Sequence, residues 1–325
     1  MEIQMNFDFK KARVDCHNNF PARVLFKTEE EFQKLVNKNN GKVPFIPISI
    51  DYNDDITFQT CIGHLGDGLE FLPFRPDYMF DHCFKVIDEA GKKPFPPHYK
   101  ITTIVKEVGD KLLGLPNNNW GDIIELLLSN IPALTSYYII KRIFESENLR
   151  LINPQDLKGS LAKRARNCFA SDQYDELLKK FACDSNGVFS ISIALDRKNL
   201  SRASGFLRMI LKGHRGSKSK DPAFPLLDLS IDSNHLSPSK KCEFLTSVLL
   251  YNVRNERAHG STLSPFRTSK SNISRYEGYY YSMLCAYIIS LGIFELNGFG
   301  GFGSKEIYDC CKDNVTEMNY FFKSA

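Results

Sequence analysis

The sequence predicts a mainly α fold with a small mixed α/β extension at the N-terminus, on three observations. Beyond about residue 100, apolar residues recur at three- and four-residue spacing in long segments, the period of a helix with one buried face. The one clear β-like alternation, residues 43–51, carries Pro44 and Pro47, which restricts any strand there to a sheet edge. With 325 residues, 42% hydrophobic and 25% charged, the chain can bury a substantial core and exceeds one ordinary helical domain. The expected division is an N-terminal α/β extension over residues 1–72 and a helical domain over residues 73–325, with an inserted basic region around 150–235.

Each element has its own signal. A helical pattern at residues 29–36 precedes the alternating run. Pro73, Pro76, Pro94, Pro96 and Pro97 bracket a helix over residues 77–90, with Gly91 placed as its stop. Residues 100–114 form the next candidate. Residues 120–145 form a longer one, with Ile123, Leu127, Ile131, Leu134, Tyr138 and Ile139 on its apolar side and Pro132 expected to kink or split it. Helical character continues over 156–183, residues 191–195 suggest a short extended link, and 201–211 a further helix. Ser237 followed by Pro238 is a start signature, a hydroxyl to cap and a proline where its missing N–H costs nothing. That helix runs through Phe244, Val248 and Tyr251 to Gly260. A polar loop over 261–272, a long helix over 275–294, a Gly-rich turn over 297–303 and a closing helix complete the chain. The Gly-rich turn lacks the Lys-Ser/Thr of a phosphate loop.

Composition narrows the function. A net charge of +4 places any nucleic-acid affinity in local clusters. One such cluster spans residues 197–220, with eight Lys or Arg and no Asp or Glu. It reads either as a solvated helix face with a flexible loop or as a phosphate-steering surface. Nine scattered cysteines with no CxxC pair argue against a disulfide framework and a zinc ribbon. With no secretory h-region at residues 1–11 and a longest apolar stretch, 283–294, too short to span a bilayer, the expectation is a cytoplasmic protein without membrane contact.

The chemistry concentrates in Arg254-Asn255-Glu256-Arg257-Ala258-His259-Gly260, at the end of a helical segment. A permanent cation, an amide and a near-neutral base within two turns are what metal-free RNA cleavage needs: a base for the 2'-hydroxyl proton and donors for the phosphorane. On an ideal helix Asn255 and His259 lie about 40° apart, whereas Arg254 points about 140° from His259. One straight helix therefore does not focus all three. A two-fold dimer would bring two copies of His259 together, one as base and one as acid, with two Arg254 guanidiniums on the phosphate. The expected products are a 2',3'-cyclic phosphate and a 5'-hydroxyl. The bland alternative is a helix C-terminus whose Arg254, Arg257 and His259 complement the macrodipole.

The stretch Val253-Arg254-Asn255-Glu256-Arg257-Ala258-His259-Gly260, followed by a polar loop and a Tyr-rich helix, resembles the Arg-polar-xxx-His signature of the HEPN superfamily. The likeness covers residues 237–294; earlier helices fit by number and pattern. It implies a HEPN-like helical bundle, a homodimer with a composite site, and a metal-independent endoribonuclease acting as a defence or toxin effector. It also implies RNA as substrate and an antitoxin or regulatory partner. Arg254 and His259 would be catalytic and Asn255 the polar auxiliary; Arg257, Arg208, Lys212 and Arg215 are the expected RNA contacts. The alternative is a non-catalytic module of the same superfamily that binds RNA, a nucleotide or a protein.

No cofactor and no metal are expected. Cys61 with His64, and His82 with Cys83, match no familiar ligand spacing. His98 and His214 read as surface residues, and Tyr279, Tyr280 and Tyr281 read as core more readily than as a base-stacking platform.

Overall fold

In the computed structural model, which describes residues 8–22, 24–95, 100–155, 159–213, 221–259 and 264–323, these signals become a mainly helical protein with no β-strand among the described residues. The helices are α1 (Phe9–Asn18), α2 (Lys27–Lys38), α3 (Ile56–Leu69), α4 (Pro76–Ala90), α5 (Ile101–Leu113), α6 (Trp120–Ser129) and α7 (Ala133–Ile152). They continue as α8 (Ser160–Phe169), α9 (Ser171–Ala182), α10 (Ile191–Ala194) and α11 (Arg197–Lys212). Then α12 (Pro238–Glu243) passes through a π-helical segment (Phe244–Leu250) into α13 (Tyr251–Ala258), and α14 (Ile273–Asn297) and α15 (Ser304–Lys323) close the chain.

The centre is α14. Its residues from Tyr280 to Phe294 are all buried, which a one-sided amphipathic helix does not show; a helix apolar all round belongs inside. By length and composition α14 could cross a membrane, where the sequence suggested a shorter stretch. In the fold, 83% of that apolar window is buried by other helices. It packs against α4 and α15, and also touches α2, α5, α7 and the π segment. Phe32 of α2 stacks on Tyr276 at 3.9 Å, and Phe266 stacks on the opposite face of the same ring, also at 3.9 Å. The N-terminal helices α2 and α3 thus share one core with α14.

The α/β expectation for the N-terminal part is corrected. Residues 43–51 are extended, but among the described residues no strand pairs with them; side chains of the last two helices take the place of a partner. Asn314 on α15 accepts from the Ile46 N–H at 2.8 Å and donates to the Ile46 carbonyl at 2.7 Å, as a neighbouring strand would. The Ile48 N–H donates to Tyr287 Oη, and the Asp51 N–H donates to the Gly300 carbonyl. Pro44 and Pro47 have no N–H to satisfy, which suits a strap better than a ladder. The Gly-rich turn accommodates the strap: Gly301 has φ +70, and a Cβ there would run into the Asp51 carboxylate.

Other boundaries follow local rules. Pro132 splits the expected 120–145 helix into α6 and α7, bent by 93°. The expected extended link at 191–195 is instead the helical turn α10. Ser237 caps α12 through the Lys240 N–H, with Pro238 in the first turn. Gly91 does follow α4, but in right-handed conformation, so its φ is not what stops the helix. Gly260 lies outside the described residues.

Trp120, fully buried, donates its indole N–H to Glu295 at 2.8 Å while its ring edge lies over Gly292 of α14. A Cβ at Gly292 would fall 2.6 Å from Trp120 Cη2, whereas one at Gly205 on α11 meets nothing within 4 Å. Gly292→Ala is expected to lower stability by about 1–3 kcal/mol and Gly205→Ala to raise it by about 0.5–1 kcal/mol. Urea unfolding followed by circular dichroism checks both; the reverse order of midpoints would contradict this packing.

Candidate functional site

The helix that carries Arg254 to His259 is not a uniform α-helix. All seven residues of its π segment are buried, and the wider i→i+5 winding leaves carbonyls to be satisfied by side chains. Arg164 of α8 donates through Nε to the Ser247 carbonyl at 2.9 Å and lies over the Tyr251 ring. Thr246 donates from Oγ1 toward Val105 and Cys242 carbonyls. Such a segment slips the facing of everything after it by about one residue. The Phe244, Val248 and Tyr251 stripe of a uniform helix, which would run on through Asn255 and His259, is therefore interrupted: beyond the π segment the buried positions are Asn252 and Val253.

The motif side chains point to separate surroundings. Arg257, 11% exposed, is held by carboxylates: Nε donates to Asp81 Oδ1 at 2.8 Å, Nη2 to Asp81 Oδ2 at 2.5 Å and Nη1 to Asp77 Oδ2 at 3.0 Å. Asp77 is fully buried and also receives two bonds from Arg75. Rings of Tyr78 and Tyr279 flank the Arg257 guanidinium. Burial alone would lower the Arg257 pKa, but the Asp81 and Asp77 carboxylates outweigh it and raise it above the ordinary arginine value. An arginine so engaged ties α13 to α4; an RNA phosphate would have to compete with two carboxylates for it.

Arg254 is placed differently. It is half-buried, its Nη1 donates to Asn255 Oδ1 at 3.2 Å, and among the described residues no carboxylate forms an ion pair with it. It opens on a cleft of about 240 Å³ between α13 and α4, lined also by Asp81, Phe84, Lys85 and Asp88. His259 is exposed, at the C-terminal end of α13. Arg254 and Asn255 are thus brought together within one chain, and His259 stands apart at the helix end, outside that cleft's lining.

A second cleft, about 360 Å³, lies on the other side of α13, between α7, α14 and residues 265–268. Val253, Glu256 and Arg257 face it from the motif helix, and Tyr138, Arg275 and Tyr279 from its neighbours. Glu256 is not open: Arg142 Nε lies 2.5 Å from it. Burial, with Glu256 next, raises the Tyr138 hydroxyl well above the usual tyrosine range. The Arg275 Nε is buried in this region without a hydrogen-bond partner among the described residues.

The described residues of the basic cluster, 197–213, line neither cleft. Arg208 and Lys212 sit half-buried on α11, and burial followed by the charge of Arg208 lowers the Lys212 pKa. Arg208 lies near Glu277 at the start of α14, whose carboxyl is raised by burial and partly restored by that arginine. Arg197, Lys198 and Arg202 are exposed, as a solvated helix face would be. Arg215 and His214 lie outside the described residues, as does His98. Tyr280 and Tyr281 are core residues, donating to the Pro73 and Leu127 carbonyls, and only Tyr279 reaches a cleft.

Sequence reasoning missed the acidic partners of Arg257. Asp77 and Asp81 at i and i+4 among the apolar residues Met79, Phe80, Cys83 and Phe84, with Arg75 just before, were the available signal. Arg257→Ala is expected to cost about 2–3 kcal/mol, less than the roughly 3–5 kcal/mol of a broken buried pair, because Asp77 keeps Arg75 and Asp81 keeps some water. Arg254→Ala is expected to stay within about 0.5 kcal/mol of wild type. Equal losses for the two in chemical denaturation would contradict the division between a tying and a presented arginine. Comparison with protein-family models, with curated proteins and with solved structures finds no match for this chain.

Proposed function

We propose that the helices around α13 and α14 form a HEPN-like bundle and that the protein is a metal-independent endoribonuclease, active as a homodimer, in a defence or toxin role. One observation carries this reading: within a motif of three cations or near-cations, Arg257 is locked to Asp77 and Asp81, while Arg254 has no carboxylate partner among the described residues and His259 is exposed. A simple macrodipole-complementing helix end has no need of such a division. The Arg254–Asn255 contact supports a phosphate-binding pair: Arg254 Nη1 donates to Asn255 Oδ1, which steadies the guanidinium and leaves its other N–H groups and the Asn255 amide as donors for a developing negative charge. In the proposed reaction one His259 takes the 2'-hydroxyl proton and the partner subunit's His259 protonates the departing 5'-oxygen. The 2'-oxygen forms its bond to phosphorus as the bond to the 5'-oxygen breaks, leaving a 2',3'-cyclic phosphate. Nine thiols with no disulfide among them fit the reducing, cytoplasmic setting such an effector works in.

The second reading, a non-catalytic module, is favoured by the larger cleft. Its aromatic walls and an Arg275 Nε without a hydrogen-bond partner among the described residues are features of a site for a planar anion such as a nucleotide, and it needs neither Arg254 nor His259.

Purified wild type incubated with mixed RNA in EDTA is expected to leave cyclic-phosphate 3' ends, and His259→Ala and Arg254→Ala to cleave at least about 100-fold more slowly. Intact RNA with the wild type, or variants that cleave equally well, would remove the ribonuclease reading. Nucleotide binding that survives both substitutions and fails in Arg275→Ala would then support the second.

A further inference from the structure

The sequence pairs His64 with Cys61 and His82 with Cys83, and the fold re-sorts them. Cys61 and Cys83 are fully buried among apolar side chains. His64, Asp67 and His82 instead come together on the outer side of the α3–α4 pair, with one donor atom from each lying within 4.8 Å of the others. We infer that these three residues form a binding site for a divalent transition-metal ion, with Zn²⁺ as the reference ion.

Four features support the site. First, its donors are two imidazoles and one carboxylate, the set that selects borderline ions such as Zn²⁺ over Mg²⁺ or Ca²⁺, which prefer all-oxygen shells. Second, His82 is already oriented: its Nδ1 lies 3.0 Å from the His64 backbone carbonyl, which can only accept. Nδ1 therefore carries the proton and Nε2 keeps its lone pair free, the arrangement that ligating histidines adopt when an outer hydrogen bond fixes their tautomer. Third, close approach of the helices is built in at Gly68, where a Cβ would fall 2.4 Å from Met79 Sδ and 3.0 Å from His82 Cβ. A side chain at 68 would displace Met79 Sδ and press on His82 Cβ, disturbing the residue that faces His64. Fourth, the distances are within reach: a tetrahedral Zn²⁺ at about 2.0–2.2 Å from each ligand sets its donors about 3.3 Å apart, so closure takes side-chain rotation and no helix movement.

Asp67 is exposed and the two histidines are half-buried, so the site is open to solvent on one side. Water can complete a fourth position there, while the Phe71 ring walls His82 at 5.8 Å. Lys85, exposed one turn beyond His82, opposes a cation weakly through solvent, and Glu89 a turn later has the opposite sign.

The consequence is structural. Besides Gly68, α3 holds Gly63 and Gly66, whose missing side chains leave open space, and interior glycines each cost a helix about 1 kcal/mol. A metal bridging i and i+3 on this weak helix and clamping it to α4 offsets that cost. It also steadies the helix whose Asp77 and Asp81 hold Arg257. No step of the proposed RNA cleavage uses the ion, so the two proposals stand or fall separately.

The test uses the full chain stripped with EDTA and then dialysed free of it, titrated with Zn²⁺ by calorimetry, with Co²⁺ as a spectroscopic probe. Wild type is expected to bind one equivalent more than His82→Ala, to melt at higher temperature with Zn²⁺, and to give Co²⁺ d–d bands without a thiolate charge-transfer band. Asp67→Asn, at an exposed position where folding is not at risk, is expected to weaken binding at least tenfold and lose the thermal gain. Zn²⁺ binding of equal stoichiometry and affinity in wild type and Asp67→Asn, or a thiolate band, would overturn the site.

Discussion

α14 is buried on every side along most of its length, and that constraint organises the protein. A helix without a polar face must be covered all round, so α4, α15, α5, α7, α2 and the π segment are all drawn onto it. Several of its polar groups are satisfied locally or by its neighbours: Tyr280 and Tyr281 donate to carbonyls of other segments, and Ser290 to the Ala286 and Cys83 carbonyls. The extended strap at residues 43–51 exists on the same terms, because Tyr287 and Asn314 offer its backbone the partners that a sheet would supply.

The motif helix is fixed against this core at two points. Upstream, the π segment is buried completely and receives the Arg164 guanidinium on one of its freed carbonyls. Downstream, Arg257 is bound by Asp77 and Asp81, so that the last two turns cannot swing away from α4 without giving up three charge-assisted hydrogen bonds in a largely buried setting. Between these anchors Arg254 and Asn255 are held half-buried on α13, and His259 follows the second anchor at the exposed helix end. A dimeric catalytic site assembled from such presented groups is the proposed use of that anchoring.

What could be read in the sequence was local. The Ser237–Pro238 start, the split at Pro132 and the long apolar run of α14 depend on short-range sterics and periodicity, and all appear where the residues place them. The strap was legible as extended backbone but not as unpaired, since its partners lie more than 230 residues away. The π segment has no short-range signature, and it altered the facing of Asn255 and His259 that uniform helical geometry implied. Arg257 looked like another surface cation because nothing near it in sequence revealed that α4 brings Asp77 and Asp81 to it. His64 and Asp67 had helical i, i+3 spacing in plain view, while His82 joins them only once α3 and α4 pack.

Arg254 and His259 diverge within one chain, so the account turns on a site that two chains complete. The most direct measurement mixes wild type with increasing fractions of His259→Ala at constant total protein, allows subunits to exchange, and records total RNA cleavage in EDTA. A site needing His259 from both subunits predicts total activity that falls as the square of the wild-type fraction. Activity falling in simple proportion to that fraction would show that each chain cleaves on its own, and would contradict the composite site.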